Sequence, residues 1–95
     1  MGEVRRVWQV LAERYKNEPT VAAYDIFNEP MPKDEFLPRR ELARLVAEFY
    51  EYVAAKIREV DDRHIVMSMS IWGSDPYNVP RCNISNAVFT AHYYV

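Results

Sequence analysis

Apolar residues recur along the chain with two different spacings. Around residues 3–16 and 39–60 they return every three to four positions, and charged residues lie largely on the opposite side. This spacing predicts two amphipathic helices, and it places Leu45 on the apolar face of the second. Three shorter stretches are rich in β-branched and aromatic residues, as is typical of strands, and they span about residues 21–28, 65–71 and 87–94. The pattern therefore predicts two helices and three strands.

The order of these segments indicates a parallel sheet. One helix precedes the first strand, the second helix joins the first two strands, and a loop with two prolines joins the second strand to the third. This alternation is typical of βαβ units, whose strands are parallel and whose crossovers are right-handed. Parallel sheets need cover on both faces, which two helices can hardly provide for three strands. We therefore expect residues 1–95 to be a fragment of a larger α/β protein.

Composition and charge exclude several functional classes. The net charge of −2 provides no basic surface that would attract nucleic acid or an anionic membrane. No apolar stretch approaches the roughly 20 residues that a membrane helix needs, and we expect no signal peptide within the given sequence, because its start has no secretory h-region. The single cysteine, Cys82, excludes an internal disulfide and a cysteine zinc cluster.

A carboxylate directly follows the first predicted strand. Glu29 comes after Asn28 and before Pro30, at the carboxyl end of the strand, where α/β proteins bind ligands and barrel enzymes carry catalytic residues. Pro30 and Pro32 stiffen the chain that leaves the strand. A glycosidase needs such a pair: an acid that protonates the leaving oxygen and a donor that binds the 2-hydroxyl of the sugar.

Three segments together resemble family 5 of the glycoside hydrolases, in clan A. Residues 8–30 are similar to the third helix and fourth strand of that family, which ends in Asn-Glu. Residues 65–72 are similar to its fifth strand, and residues 92–94 to the His-x-Tyr at the end of its sixth. The resemblance covers nearly the whole chain in order. It implies a partial (β/α)₈ barrel that contains three parallel strands and two helices.

The resemblance also implies roles for particular residues. Glu29 corresponds to the general acid/base, and Asn28 to the residue that contacts the 2-hydroxyl. Tyr94 corresponds to the tyrosine that contacts the nucleophile, His92 to a histidine that lines the catalytic subsite, and Trp72 to a tryptophan near the cleft. No cofactor and no metal are expected.

The departures from the family pattern concern the rest of the barrel. The nucleophile of the family is a glutamate at the end of strand 7, and this sequence ends at Val95, just past the sixth strand. The parent protein is expected to be a retaining β-glycosidase of the cellulase, endoglucanase or mannanase type, which degrades a β-linked polysaccharide. The 95 residues alone are expected to be inactive. Family members are often secreted, but the localisation of this chain is not predicted.

Alternative interpretations remain open for several of these residues. Glu29 and Asn28 could begin a loop, Trp72 could be a packing residue, and His92 and Tyr94 could lie inside the barrel. Both Asn28 and Glu29 reach one site only if the strand bends at its end, because side chains alternate along a strand.

Asp25 and His64 are interpreted as structural residues. Asp25 is expected to be a buried, hydrogen-bonded acid, and His64 to be structural because it begins its strand. A metal site formed by these two residues with Glu29 and His92 is rejected, because the two histidines should lie at opposite strand ends.

The alternative function is a non-catalytic carbohydrate-binding or interaction fragment of a degenerate barrel.

Overall fold

The computed structural model describes residues 2–28, 37–69 and 83–90. Within these ranges the chain forms two helices and three strands, in the predicted order. They are α1 (Gly2–Tyr15), β1 (Ala23–Asp25), α2 (Arg39–Arg58), β2 (Ile65–Met69) and β3 (Ala87–Thr90).

The three strands form one parallel sheet in the order β1-β2-β3. Ala23 of β1 pairs with Ile65 of β2, and Met69 of β2 pairs with Thr90 of β3. Helix α2 joins the two parallel strands β1 and β2, as a βαβ unit requires. The prediction of three parallel strands with two helices is confirmed.

The first strand is shorter than the predicted range of residues 21–28, because its ladder with β2 ends at Asp25. The carbonyls of Ile26 and Phe27 instead accept hydrogen bonds from side chains of the two helices. The predicted extensions of β2 and β3, residues 70–71 and 91–94, lie outside the described residues.

Helix α2 provides most of the core. Its fully buried face contains alanines between larger side chains: Leu42, Ala43, Val46, Ala47, Tyr50, Val53, Ala54 and Ile57. The sequence pattern placed Leu45 on this face, but Leu45 is 43% exposed. The reason is that the buried stripe is centred on Tyr50 and Ile57, both 0% exposed, and extends toward the alanines, whose small side chains let α2 pack closely. Leu45 lies beyond the opposite margin of this stripe.

The two faces of the sheet differ in burial. Tyr24 and Val66 are buried in the core that the helices share, whereas Asp25 is exposed. The expectation that Asp25 is a buried, hydrogen-bonded acid is therefore wrong. Successive side chains of a strand point to opposite faces, and Asp25 lies on the face away from α1 and α2.

Asn86, just before β3, has a left-handed backbone conformation with φ of 52°. Its side-chain amide donates to the Arg63 carbonyl at 2.9 Å, and its own carbonyl accepts the amide of Val66 at 3.2 Å. Asparagine tolerates this conformation better than most residues with a side chain. The residue thus links the start of β3 to the chain that enters β2.

Replacing Asn86 with alanine is expected to lower the free energy of unfolding by about 1 to 2 kcal/mol, since alanine keeps the backbone strain and loses the amide bond. Glycine should cost less, because it adopts positive φ without strain. Urea denaturation measures both, and Asn83→Ala at an exposed neighbouring position is the control. An alanine variant no less stable than the glycine variant would contradict this account.

Candidate active site

The carboxyl ends of the three strands lie along one edge of the sheet, because the strands are parallel. The predicted site residues follow these ends in the sequence. Asn28 comes three positions after the end of β1, Trp72 three positions after β2, and His92 two positions after β3. Among these residues the structure describes Asn28. Glu29, Trp72, His92 and Tyr94 lie outside the described residues.

The chain leaves β1 along a bent path. Ile26 and Phe27 no longer pair with β2, and the backbone bends at Asn28, whose side chain is exposed to solvent. The sequence interpretation required a bend at this point for Asn28 and the following residue to reach one site. The described part of that exit, up to Asn28, has the bend.

Two aromatic side chains hold the backbone at this exit. The indole nitrogen of Trp8, in α1, donates to the Ile26 carbonyl at 3.3 Å. The hydroxyl of Tyr50, in α2, donates to the Phe27 carbonyl at 2.8 Å. Buried Trp and Tyr side chains usually need such a partner for their polar atom. Their partners are the two carbonyls that precede Asn28.

Aromatic rings pack around the same exit. The ring of Phe27 meets Phe49 edge to face with centroids 6.0 Å apart, and Phe49 meets Tyr50 at 5.6 Å. Such edge-to-face pairs contribute beyond the area that they bury. Phe27 itself is still 46% exposed, so its ring also forms part of the accessible surface beside Asn28.

Comparison with protein families gives a match along almost the whole chain. The sequence profile described as Cellulase (glycosyl hydrolase family 5) matches residues 3–95. The chain belongs to glycosyl hydrolase family 5. A comparison with curated proteins finds no match. The family match covers each of the five predicted site residues, whether or not the structure describes them.

The fold is also similar to that of two solved proteins. A β-glucanase from Saccharophagus degradans in complex with cellotetraose is 27% identical, with a TM-score of 0.77; the match covers 98% of this chain and 28% of that one. Endo-glycoceramidase II from Rhodococcus sp., solved as a lactosyl-enzyme intermediate, is 22% identical with a TM-score of 0.75; here the shares are 96% and 23%. This family 5 chain thus has the fold of part of a (β/α)₈ barrel and spans about a quarter of each of these structures.

A buried polar cluster lies at the opposite end of the strands. The Tyr24 hydroxyl donates to Oδ2 of Asp61 at 2.6 Å, and Nδ1 of His64 lies 2.6 Å from the same oxygen. Nε2 of His64 is 3.0 Å from the carbonyl oxygen of Glu18. A carbonyl oxygen only accepts, so an imidazole that donates to both partners carries a proton on each nitrogen. An imidazolium at His64 therefore has one acceptor for each of its two N–H groups.

The pKa values in this cluster follow from these contacts. Burial by itself favours the neutral imidazole, but the hydrogen bonds to Asp61 and to the Glu18 carbonyl outweigh it and raise the pKa of His64. Burial also favours a neutral Asp61, yet the bonds from Tyr24, from the Arg63 amide and from His64 lower the pKa of Asp61 to about 2. Burial and the bond to Asp61 together raise the pKa of the Tyr24 hydroxyl. The cluster is thus an ion pair that holds the amino ends of β1 and β2.

An open cavity of about 380 Å³ adjoins this cluster, lined by Lys16, Asn17, Glu18, Pro19, Val21, Ala22, Arg63, His64 and Ile65. It lies at the amino ends of the strands, the face of a barrel that is associated with stability rather than chemistry. The structural interpretation of His64 agrees with the two partners of its ring and with its burial.

Arg58 joins four backbone carbonyls at the same end. Its Nη1 donates to the carbonyls of Asp61 and His64 at 3.2 and 2.8 Å. Its Nη2 donates to those of Ser85 and Asn86, both at 3.1 Å. One planar guanidinium thus connects the turn before β2 with the turn before β3.

Metal and membrane interpretations receive no support from the described part of the chain. Across residues 2–28, 37–69 and 83–90, no group of three His, Cys, Asp or Glu side chains could hold a metal ion. Neither α1 nor α2 is long and apolar enough to cross a membrane.

Sequence reasoning did not identify the residues that hold the strand exit and the amino ends of the strands. Trp8 appeared only as an apolar helix position, and Tyr50 and Arg58 were not singled out. One signal was available in the sequence. A side chain with a polar atom at a core-facing helix position needs a hydrogen-bond partner when it is buried. This signal does not say which partner each atom takes.

Proposed function

We propose that Glu29 is the general acid/base of a retaining β-glycosidase and that Asn28 donates a hydrogen bond to the 2-hydroxyl of the sugar. One observation carries the proposal: the Asn-Glu pair follows the carboxyl end of β1, within a family 5 match that spans residues 3–95. Carboxyl strand ends are where barrel enzymes place catalytic groups.

The proposed reaction is a double displacement. Glu29 first gives its proton to the leaving glycosidic oxygen while a second carboxylate, about 5 to 5.5 Å away, attacks the anomeric carbon. Glu29 then takes a proton from water, which attacks the same carbon and releases the second carboxylate. That nucleophile would come from a further strand of the barrel, so residues 1–95 alone are proposed to be inactive. The reaction needs no cofactor.

The proposed substrate is a β-linked polysaccharide, of the kind that cellulases or mannanases cleave. The likeness to a β-glucanase solved with cellotetraose supports this class. We further propose that Trp72, His92 and Tyr94 line the sugar subsites next to Asn28. All three follow strand ends at the same edge of the sheet in the sequence order of the chain.

Replacing Glu29 with glutamine in the full-length enzyme that contains this segment is expected to lower hydrolysis of a polysaccharide by about 10²- to 10⁴-fold. An aryl glycoside with an acidic leaving group needs no proton, so formation of the glycosyl-enzyme should persist. Azide needs no general base, so it should restore turnover and yield a β-glycosyl azide. Product analysis with and without azide measures both steps.

The matched control is Glu48→Gln on the exposed side of α2, which should leave both activities unchanged. Full polysaccharide hydrolysis by the Glu29 variant would remove Glu29 from the mechanism. An α-configured azide product would contradict the retaining route, and hydrolysis by the 95-residue chain alone would contradict its proposed dependence on a further strand.

A further inference from the structure

Two consecutive carbonyls need partners where β1 leaves the sheet. The ladder with β2 ends at Asp25, yet Ile26 is only 5% exposed. A buried carbonyl without a partner is costly, which is why nearly all such groups are paired. Here the partners are side chains, Trp8 for Ile26 and Tyr50 for Phe27.

These two bonds act on the peptide planes that precede Asn28. The Phe27 carbonyl and the Asn28 amide belong to one planar peptide unit, so the 2.8 Å bond from Tyr50 restrains the direction of both. The 3.3 Å bond from Trp8 restrains the plane before it. Tyr50 is 0% exposed, and its ring packs against Phe49 with the centroids 5.6 Å apart.

We propose that Trp8 and Tyr50 are positioning residues that orient Asn28 through the two peptide planes before it. The inference rests on the proposed function, in which Asn28 binds the sugar 2-hydroxyl. Because the two donors come from different helices, the packing of α1 and α2 against the sheet sets the direction in which the chain leaves β1. A small rotation of either plane moves the side-chain amide of Asn28 away from the sugar 2-hydroxyl. Small errors in the position of such a group greatly lower the reaction rate.

The test compares Tyr50→Phe and Trp8→Phe with wild type in the 95-residue chain, by ¹⁵N relaxation. Each variant removes one donor and keeps an aromatic ring. The backbone amide of Asn28 should have an order parameter of about 0.85 in wild type and below about 0.6 in the Tyr50 variant. Tyr24 and Val66, in the ladder, should stay rigid. Tyr52→Phe, at an exposed tyrosine of the same helix, is the control and should change nothing.

Each outcome has a defined meaning. Mobility confined to residues 26–28 in both variants supports the inference. A backbone amide of Asn28 that stays rigid when either donor is removed overturns the inference. A uniform loss of order across the paired residues of β1 and β2 also overturns it, because it would show a general structural role. A titration of the full-length enzyme that contains this segment with cellotetraose tests the proposed function separately: affinity should fall several-fold in the two variants and not in Tyr52→Phe. Absence of binding by wild type would count against the sugar contact of Asn28, while the order parameters still decide the positioning inference.

Discussion

Replacing Arg58 with lysine is expected to lower the free energy of unfolding by about 2 to 4 kcal/mol. The guanidinium donates to four carbonyls from two turns. A hydrogen bond from a charged donor contributes about 1.5 to 3 kcal/mol net, and the two bonds to Ser85 and Asn86 are exposed and contribute less. A lysine has one nitrogen on a flexible stem and cannot span both turns. Urea denaturation measures the loss.

Arg44→Lys is the matched control, because Arg44 is exposed and pairs only with Glu41 of its own helix among the described residues. Surface changes of this kind usually stay within about 0.5 kcal/mol. Equal stabilities of the two lysine variants would show that the carbonyl bonds of Arg58 exchange with water at no net cost. Because Arg58 joins the turns before β2 and β3, its loss should also weaken the pairing of Val66 with Ala87, which amide exchange can follow.

Thermal stability is expected to be greatest in mildly acidic solution and to fall as the pH rises above neutrality. Folding raises the pKa of His64 above its ordinary 6.5, mainly through Asp61 and the Glu18 carbonyl after burial has acted the other way. The stabilisation is therefore complete below pH 6.5 and is lost as the pH rises through the folded pKa. Folding lowers the pKa of Asp61 from 3.8 to about 2, so its contribution is present above pH 3.8 and is lost toward pH 2.

His64→Gln should remove the alkaline part of this dependence, because a neutral amide no longer loses a proton there. His92→Gln should keep it. Among the groups near the ring, folding raises the pKa of Tyr24 and lowers the pKa values of Asp61 and Glu18, so all three shifts move away from the neutral range. Melting curves from pH 4 to pH 9 test this. A fall above neutrality that survives His64→Gln would assign the dependence to another group.

Much of the fold followed from the spacing of apolar residues. The periods of helix and strand differ, and their alternation predicts parallel βαβ units, so the two helices and three parallel strands could be expected before any coordinates. The exact strand ends could not. Residues 26 and 27 have strand composition, but their carbonyls accept hydrogen bonds from Trp8 and Tyr50 instead of pairing with β2. Composition alone does not show which of these partners a carbonyl takes.

Burial along the elements shows the same limit. Leu45 and Asp25 were assigned by pattern alone, and both are exposed. The buried stripe of α2 extends toward its alanines, because small residues allow close approach, and hydrophobicity alone ranks alanine below leucine. Asp25 alternates to the face away from the helices, and its burial depends on what covers that face.

The residues that carry the proposed chemistry were accessible from the sequence alone. The Asn-Glu-Pro segment at a strand end and the later aromatic strand ends are local patterns, and the family match covers them. What the tertiary structure alone decided is how distant polar groups meet: Tyr50 with the exit of β1, His64 with Glu18, and Arg58 with the turn before β3. These contacts join residues 23 to 46 positions apart, and each polar atom had many partners available along the chain. Only the packing of the helices on the sheet selects one.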